Sequence, residues 1–160
     1  MKRNKDTKLI GYCGLYCGNC VLRTGGISDL AQELLERFHE IKFEKWAKGL
    51  ASLSEEVKAF ENYESCYEVL KAWDAMRCEK LCKEGGGSTN CKIRICCRKK
   101  NLEGCWECEQ FEDCETLASI KVVNGELNIN NIRKIRSEGT DKFIEEMEGE
   151  EFCDFYETKK

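Results

Sequence analysis

The sequence contains no proline and a single histidine, His39. Without proline, Gly, Asn, Ser and Asp must mark the turns. With one histidine, any Ser–His–Asp or Cys–His arrangement rests on His39 alone. That residue falls in a helical run and reads as a partly exposed helix side chain, neither ligand nor base. A hydrolytic zinc site, which leaves a coordination position open and usually uses imidazoles, is disfavoured for the same reason. No run approaches the roughly 18 apolar residues of a membrane span. The opening MKRNKDTKLIGYC is basic but holds no apolar stretch of the length a secretory leader needs. No G-x-x-x-x-G-K-[ST] or G-x-G-x-x-G pattern occurs in a strand-to-helix context, so Gly85-Gly86-Gly87-Ser88 reads as a turn and not a phosphate loop.

What the chain has in excess is cysteine, thirteen among 160 residues. A secreted disulfide scaffold is one source of such a count. The odd number, the missing leader and the tight grouping oppose it. Ligands cluster in this way, whereas staples spread along a chain. The expected setting is a reducing cytoplasm, where such clusters bind metal or do redox chemistry.

The main cluster runs from Cys78 to Cys114 and includes Cys82, Cys91, Cys96, Cys97, Cys105 and Cys108. A smaller one lies far upstream: Cys13, Cys17 and Cys20, spaced C-x3-C-x2-C. A C-x2-C pair folds as a knuckle that aims both sulfurs at one ion, and Gly18 and Asn19 tolerate the required turn. Cys105-Trp-Glu-Cys108 is a second such knuckle. Cys78 and Cys82 are four apart, which would put both on one face at a helix end. Cys97 adjoins Cys96, and adjacent side chains point apart, so only Cys96 is taken as a ligand candidate. Cys66 reads as a small packed residue on an apolar helix face, and Cys153 as part of an acidic end.

Between the clusters, Leu30, Leu34, Leu35, Phe38, Ile41 and Trp46 recur at helical spacing, with Ser28 as N-cap and Gly49 as terminator. A second helical stretch starts near Ser54 and carries Val57, Phe60, Val69, Leu70, Trp73 and Met76. Its aromatics read as core. The tail predicts two short helices separated by Gly139, with Thr140 as a cap for the last. The expected architecture is mainly α: a small single domain with irregular cysteine-rich metal-binding loops. Residues 1–12 are expected to be a flexible start, 13–149 a single helical domain, and 150–160 an acidic tail.

The expected ligands are Cys13, Cys17, Cys20, Cys78, Cys82, Cys91, Cys96, Cys105, Cys108 and Cys114, enough for one or two ions. Nearness in sequence groups Cys78, Cys82, Cys91 and Cys96, leaving the upstream trio to join residues 105–114. Four soft thiolates suit zinc or an iron–sulfur cluster. C-x3-C-x2-C is also the spacing of radical S-adenosylmethionine enzymes, but the strand–helix alternation of their barrel is missing. The ferredoxin run C-x2-C-x2-C-x3-C-P is missing too. Zinc is the favoured cofactor and the iron–sulfur cluster the alternative.

The net charge is −4, with a basic run at Lys92, Arg94, Arg98, Lys99 and Lys100. Zinc held by four thiolates carries about −2, which such cations offset. The run holds no interleaved aromatic residue of the kind single-stranded nucleic acid stacks on. Charge compensation is therefore preferred to nucleic-acid binding, and a protein partner to a nucleic acid or a membrane.

At these residues the chain resembles a prokaryotic family of small cysteine-rich proteins, domain of unknown function thirty-seven ninety-five. The matching pieces are CGLYCGNC at 13–20, R-C-x-x-x-C-K-E-G-G-G at 77–87, CKIRIC at 91–96, GCWEC at 104–108 and the C-x-x-L that begins at Cys114. The segment NNIRKIRSEGTDKFIEEM at 130–147 is similar to the family's closing helix pair. Two departures stand out: the family commonly has C-x2-C where this chain has Cys78-x3-Cys82, and proline where it has Asp113. The resemblance implies a metal-binding protein, in a family regarded as zinc-binding, and brings no established activity.

Overall fold

The computed structural model describes residues 6–121 and 126–148. The acidic end over 150–160, with Cys153, lies outside the described residues. Helices and short 3₁₀ turns supply the regular structure, and among the described residues the only β pairing is an isolated antiparallel bridge between Ile10 and Tyr16. The fold is mainly α with irregular cysteine-bearing loops, as the sequence predicts. The stretch expected as one domain over 13–149 divides by its contacts into two compact units: Gly25–Arg77, and the residues up to Thr24 together with those from Cys78 onward.

In the unit 25–77, α2 spans Gly26–Glu40, α3 spans Ala47–Ala51 and α4 spans Tyr63–Ala75, after the short α1 at Val21–Thr24 of the other unit. Phe43 is the hub. Its ring stacks on Phe38 at 4.9 Å and meets Trp46, Tyr63 and Phe60 edge-on at 4.6, 5.2 and 5.7 Å. Phe43, Ala47 and Tyr63 are buried there, so these aromatics are core. Ser28 does not cap α2. It sits inside the helix, buried, and its hydroxyl donates to the Trp73 carbonyl at 2.9 Å, tying α2 to α4. The cap position belongs to Gly25 at φ 87°. Gly49 lies inside α3 instead of ending a helix, because α2 stops at Glu40 and a 3₁₀ turn over Phe43–Lys45 intervenes. Cys66 is exposed, not packed. Leu30 and Val69, placed on apolar faces by their spacing, are also exposed.

In the cysteine-bearing unit, α5 spans Lys92–Lys100, α6 Glu115–Ala118, α7 Leu127–Glu138 and α8 Thr140–Glu148. Gly139 separates the last two, as expected, with φ 86°. Ile129 and Ile132 of α7 pack with Ile93, Phe111 and Leu117 in one apolar cluster. Ile135 joins Ile10, Tyr16, Phe143, Ile144 and Met147 in another. Ile10 is fully buried, so the expected loose start over 1–12 is, from Asp6 on, part of the packed body. A 3₁₀ turn at Thr7–Leu9, capped by the Asp6 carboxylate, carries the chain into it.

Candidate metal centre

The first knuckle is built by long-range contacts. Gly14 sits at φ 83°, and a Cβ there would lie 2.9 Å from Ile132 Cγ1 and 3.2 Å from the Asn128 carbonyl oxygen, so only glycine lets α7 approach. Two buried amides of α7 hold the knuckle in place. Asn128 Nδ2 donates to the Cys13 carbonyl at 2.8 Å, and Asn131 Nδ2 to the Gly14 carbonyl at 3.0 Å. Arg23 closes the other side, its Nε donating to the Cys17 carbonyl at 2.6 Å and its terminal nitrogen to the Gly18 carbonyl at 3.2 Å.

The two cysteine clusters meet. A Cβ on Gly11 would lie 3.7 Å from Cys82 Sγ. Cys13 is within electrostatic reach of Cys82, Cys91 and Cys17, and Cys17 within reach of Cys82, Cys20 and Cys78. Burial pushes the Cys13 thiol up to about 12, against a backbone hydrogen bond from Leu15 that favours the thiolate. Burial likewise raises Cys17 to about 11, opposed by a backbone hydrogen bond from Cys82. Both are thiols at neutral pH, so an ion that takes them must displace protons.

Cys78 and Cys82 do not share a helix face. α4 ends at Ala75, Cys78 follows in irregular chain, and Cys82 opens a 3₁₀ turn over Cys82–Glu84. The glycines after it form the expected turn. Gly85 and Gly87 take φ 100° and 69°, and a Cβ on Gly86 would overlap the Lys80 carbonyl. Arg94 fixes this loop from beneath. Only 4% exposed, its guanidinium donates to the carbonyls of Gly86 at 2.7 Å, Thr89 at 3.3 Å, Cys82 at 3.4 Å, and Ser88.

A second group of sulfurs lines a cavity of about 410 Å³: Cys96, Cys97, Cys105, Cys108 and Cys114, with Lys100 at its edge. Cys96 lines the same cavity as the 105–114 cysteines, whereas Cys13 and Cys17 are in reach of Cys82, and Cys13 is in reach of Cys105 as well. Cys97 Sγ lies 3.7 Å from Cys105 Sγ, both residues buried. Their mutual hydrogen bond lowers Cys97, helped by Lys83 and Lys100, and raises Cys105. Among the described residues no three Cys, His, Asp or Glu side chains converge as ligands of one ion. The thiols are gathered but not closed around a point. As a donor set, soft thiolates collected from distant segments fit a thiophilic ion.

The basic run is largely committed to the protein. Besides Arg94, Arg98 donates to the Lys83 carbonyl at 3.3 Å and to the Tyr12 hydroxyl at 3.5 Å. Lys100 Nζ lies 3.9 Å from Cys108 Sγ. Lys83, outside the run, rests over the rings of Tyr12 at 4.1 Å and Trp106 at 5.1 Å. Arg136 of α7 donates to the carbonyls of Trp106 and Cys108, both at 3.1 Å, bracing the second knuckle. Cys97, set aside in the sequence reading in favour of Cys96, lines the cavity too and follows buried Ile93 by one helical turn. Arg94 belongs to the basic run, and no local pattern marks the α7 amides. Exposed His39 stands at the end of α2, in the other unit.

Fold and thiol arrangement together define a helical, cysteine-rich protein whose sulfurs come together across long sequence separations. Residues 9–119 match the model of the family described as Protein of unknown function (DUF3795), and the chain belongs to that family. No curated protein and no solved structure matches it. Among the described residues no helix is long and apolar enough to cross a membrane.

Proposed function

We propose that this is a zinc-binding protein whose metal is structural, and that it serves as a cytoplasmic interaction or regulatory module. The observation that carries the reading is the meeting of Cys13 and Cys17 with Cys78, Cys82 and Cys91. Bringing such distant thiols together in partly apolar surroundings is costly unless something repays it. A structural zinc ion contributes on the order of 10 kcal/mol to a small fold. Cations placed at carbonyls and thiols, with Lys100 beside Cys108, suit the negative charge of a thiolate centre. Arg94 is buried, and exposed Arg98 donates to the Lys83 carbonyl and the Tyr12 hydroxyl, which favours this use over nucleic-acid contact.

Zinc analysis of the anaerobically purified protein, with an absorption spectrum, tests the proposal. Stoichiometric zinc, no visible colour and unfolding by chelator are expected. Brown protein absorbing near ~400 nm with bound iron would replace zinc by an iron–sulfur cluster. Protein that is metal-free and stable would end both readings.

A further inference from the structure

Cys96 and Cys97 are neighbours on α5 and their side chains leave the helix in different directions. Cys97 follows Ile93 by one turn, on the face that enters the apolar cluster, and is 2% exposed. Cys96 is half-buried. We propose that Cys97, and not Cys96, combines with Cys105, Cys108 and Cys114 as a second thiolate centre for a thiophilic divalent ion, beside the one that draws on Cys17 and residues 78–91, with Cys13 in reach of both. This rests on the zinc reading above and deepens it.

The distance between the first two sulfurs carries the argument. Thiolates bound at about 2.3 Å to one tetrahedral zinc lie about 3.8 Å from each other. Cys97 Sγ and Cys105 Sγ are 3.7 Å apart. A disulfide would hold them at about 2.0 Å, and both cysteines are free. Their backbones are anchored independently. The Cys105 N–H donates to the Tyr12 carbonyl at 2.8 Å, and the Cys97 carbonyl accepts the Leu102 N–H at 2.9 Å. One of the six edges of a sulfur tetrahedron is thus set by the fold.

The other two ligands come from the same cavity wall. Cys108 ends the knuckle that Cys105 begins, its N–H donating to the Cys105 carbonyl at 3.1 Å. Cys114 stands at the N-terminus of α6. Their sulfurs line the cavity without converging on the Cys97–Cys105 pair, so binding requires them to turn inward, and the cavity of about 410 Å³ leaves room for that. Lys100, 3.9 Å from Cys108 Sγ, supplies a counter-charge. Cys96 lines the cavity as a spare thiol.

Zinc per chain in the anaerobically purified full-length protein and in Cys96→Ser and Cys97→Ala tests the assignment. Two ions are expected in the wild type and in Cys96→Ser, and half that content in Cys97→Ala. Loss of an ion from Cys96→Ser with both retained in Cys97→Ala overturns it. If Cys97→Ala does not fold, the wild type loaded with an NMR-active cadmium isotope decides. Scalar couplings from cadmium to the β-protons of Cys97, Cys105, Cys108 and Cys114 support the centre, and coupling to Cys96 in place of Cys97 rejects it. A wild type that binds one ion, with Cys97 uncoupled, removes this inference and keeps the zinc reading. A wild type that binds none removes both.

Discussion

Around Phe43, four aromatic rings lie within 5.7 Å of its own. Around Cys97, the buried cluster holds the Cys105 thiol, Ile93, Ile129, Ile132, Phe111 and Leu117, and Lys83 and Lys100 act on its sulfur. The unit 25–77 is held by apolar and aromatic burial, with exposed Cys66 as its one cysteine. The other unit interleaves its isoleucines with sulfurs, and its loops are fixed by Arg94, Arg136, Asn128 and Asn131 reaching backbone carbonyls. A core of carbon needs no cofactor to be complete. On the zinc reading a core seeded with thiols depends on its ion, so the two units should answer differently to the same insult.

The largest contrast is expected on metal removal. Chelation should speed amide exchange throughout residues 6–24 and 78–148 and leave α2 and α4 protected, with a loss on the order of 10 kcal/mol confined to the first set. Uniform acceleration along the chain would dissolve the comparison. From the other side, Phe43→Ala should cost about 3–5 kcal/mol in denaturant unfolding of 25–77, with zinc content unchanged. Concurrent zinc loss would show that the aromatic cluster supports the thiols after all. Next, Arg94→Met should destabilise the cysteine-bearing unit by about 2–3 kcal/mol, because the carbonyls of Cys82, Gly86, Ser88 and Thr89 lose a charged donor. Arg94→Lys should not restore it, since one ammonium cannot span that arc. Stability equal to wild type would mean that the loop holds itself.

Smaller effects sharpen the electrostatics. Burial keeps Cys13 and Cys17 protonated at neutral pH, so a zinc ion that took them would displace those protons. Apparent zinc affinity should therefore rise with pH, by about 1.4 kcal/mol per pH unit for each proton released. Titration calorimetry in buffers of different ionisation enthalpy counts them, and a pH-independent affinity would mean that the ligands are preformed thiolates. Least of all, Lys100→Gln should weaken zinc retention by up to about 1 kcal/mol, an effect that fades with added salt. A salt-insensitive loss would point to packing in place of charge.

The helices of the tail and the break at Gly139 were legible because each is written locally, in spacing or in a turn residue; that the upstream cysteines meet the later cluster was legible too, but not that Cys13 and Cys17 come within reach of Cys78, Cys82 and Cys91. Ser28 and Gly49 misled for a physical reason. A serine near a helix start reads as a cap until its hydroxyl finds the Trp73 carbonyl of another helix. A glycine reads as a terminator until a 3₁₀ turn has already ended the helix upstream. Arg94 reads in the sequence as one of the cations that offset a thiolate centre. What buries it is a glycine loop that folds back over α5, a contact absent from any local pattern. The choice between Cys96 and Cys97 depends on which face of α5 meets α7, and so on residues thirty and more positions away.

The amides of α7 also carry a consequence for synthesis. Cys13 and Asn128, joined at 2.8 Å, are 115 residues apart. At ribosomal speeds of roughly 5–20 residues per second, the first knuckle waits on the order of ten seconds for the side chains that brace it. Until then its thiols are open to oxidation, so the conditions the nascent chain meets before residue 131 is made bear on how the knuckle forms.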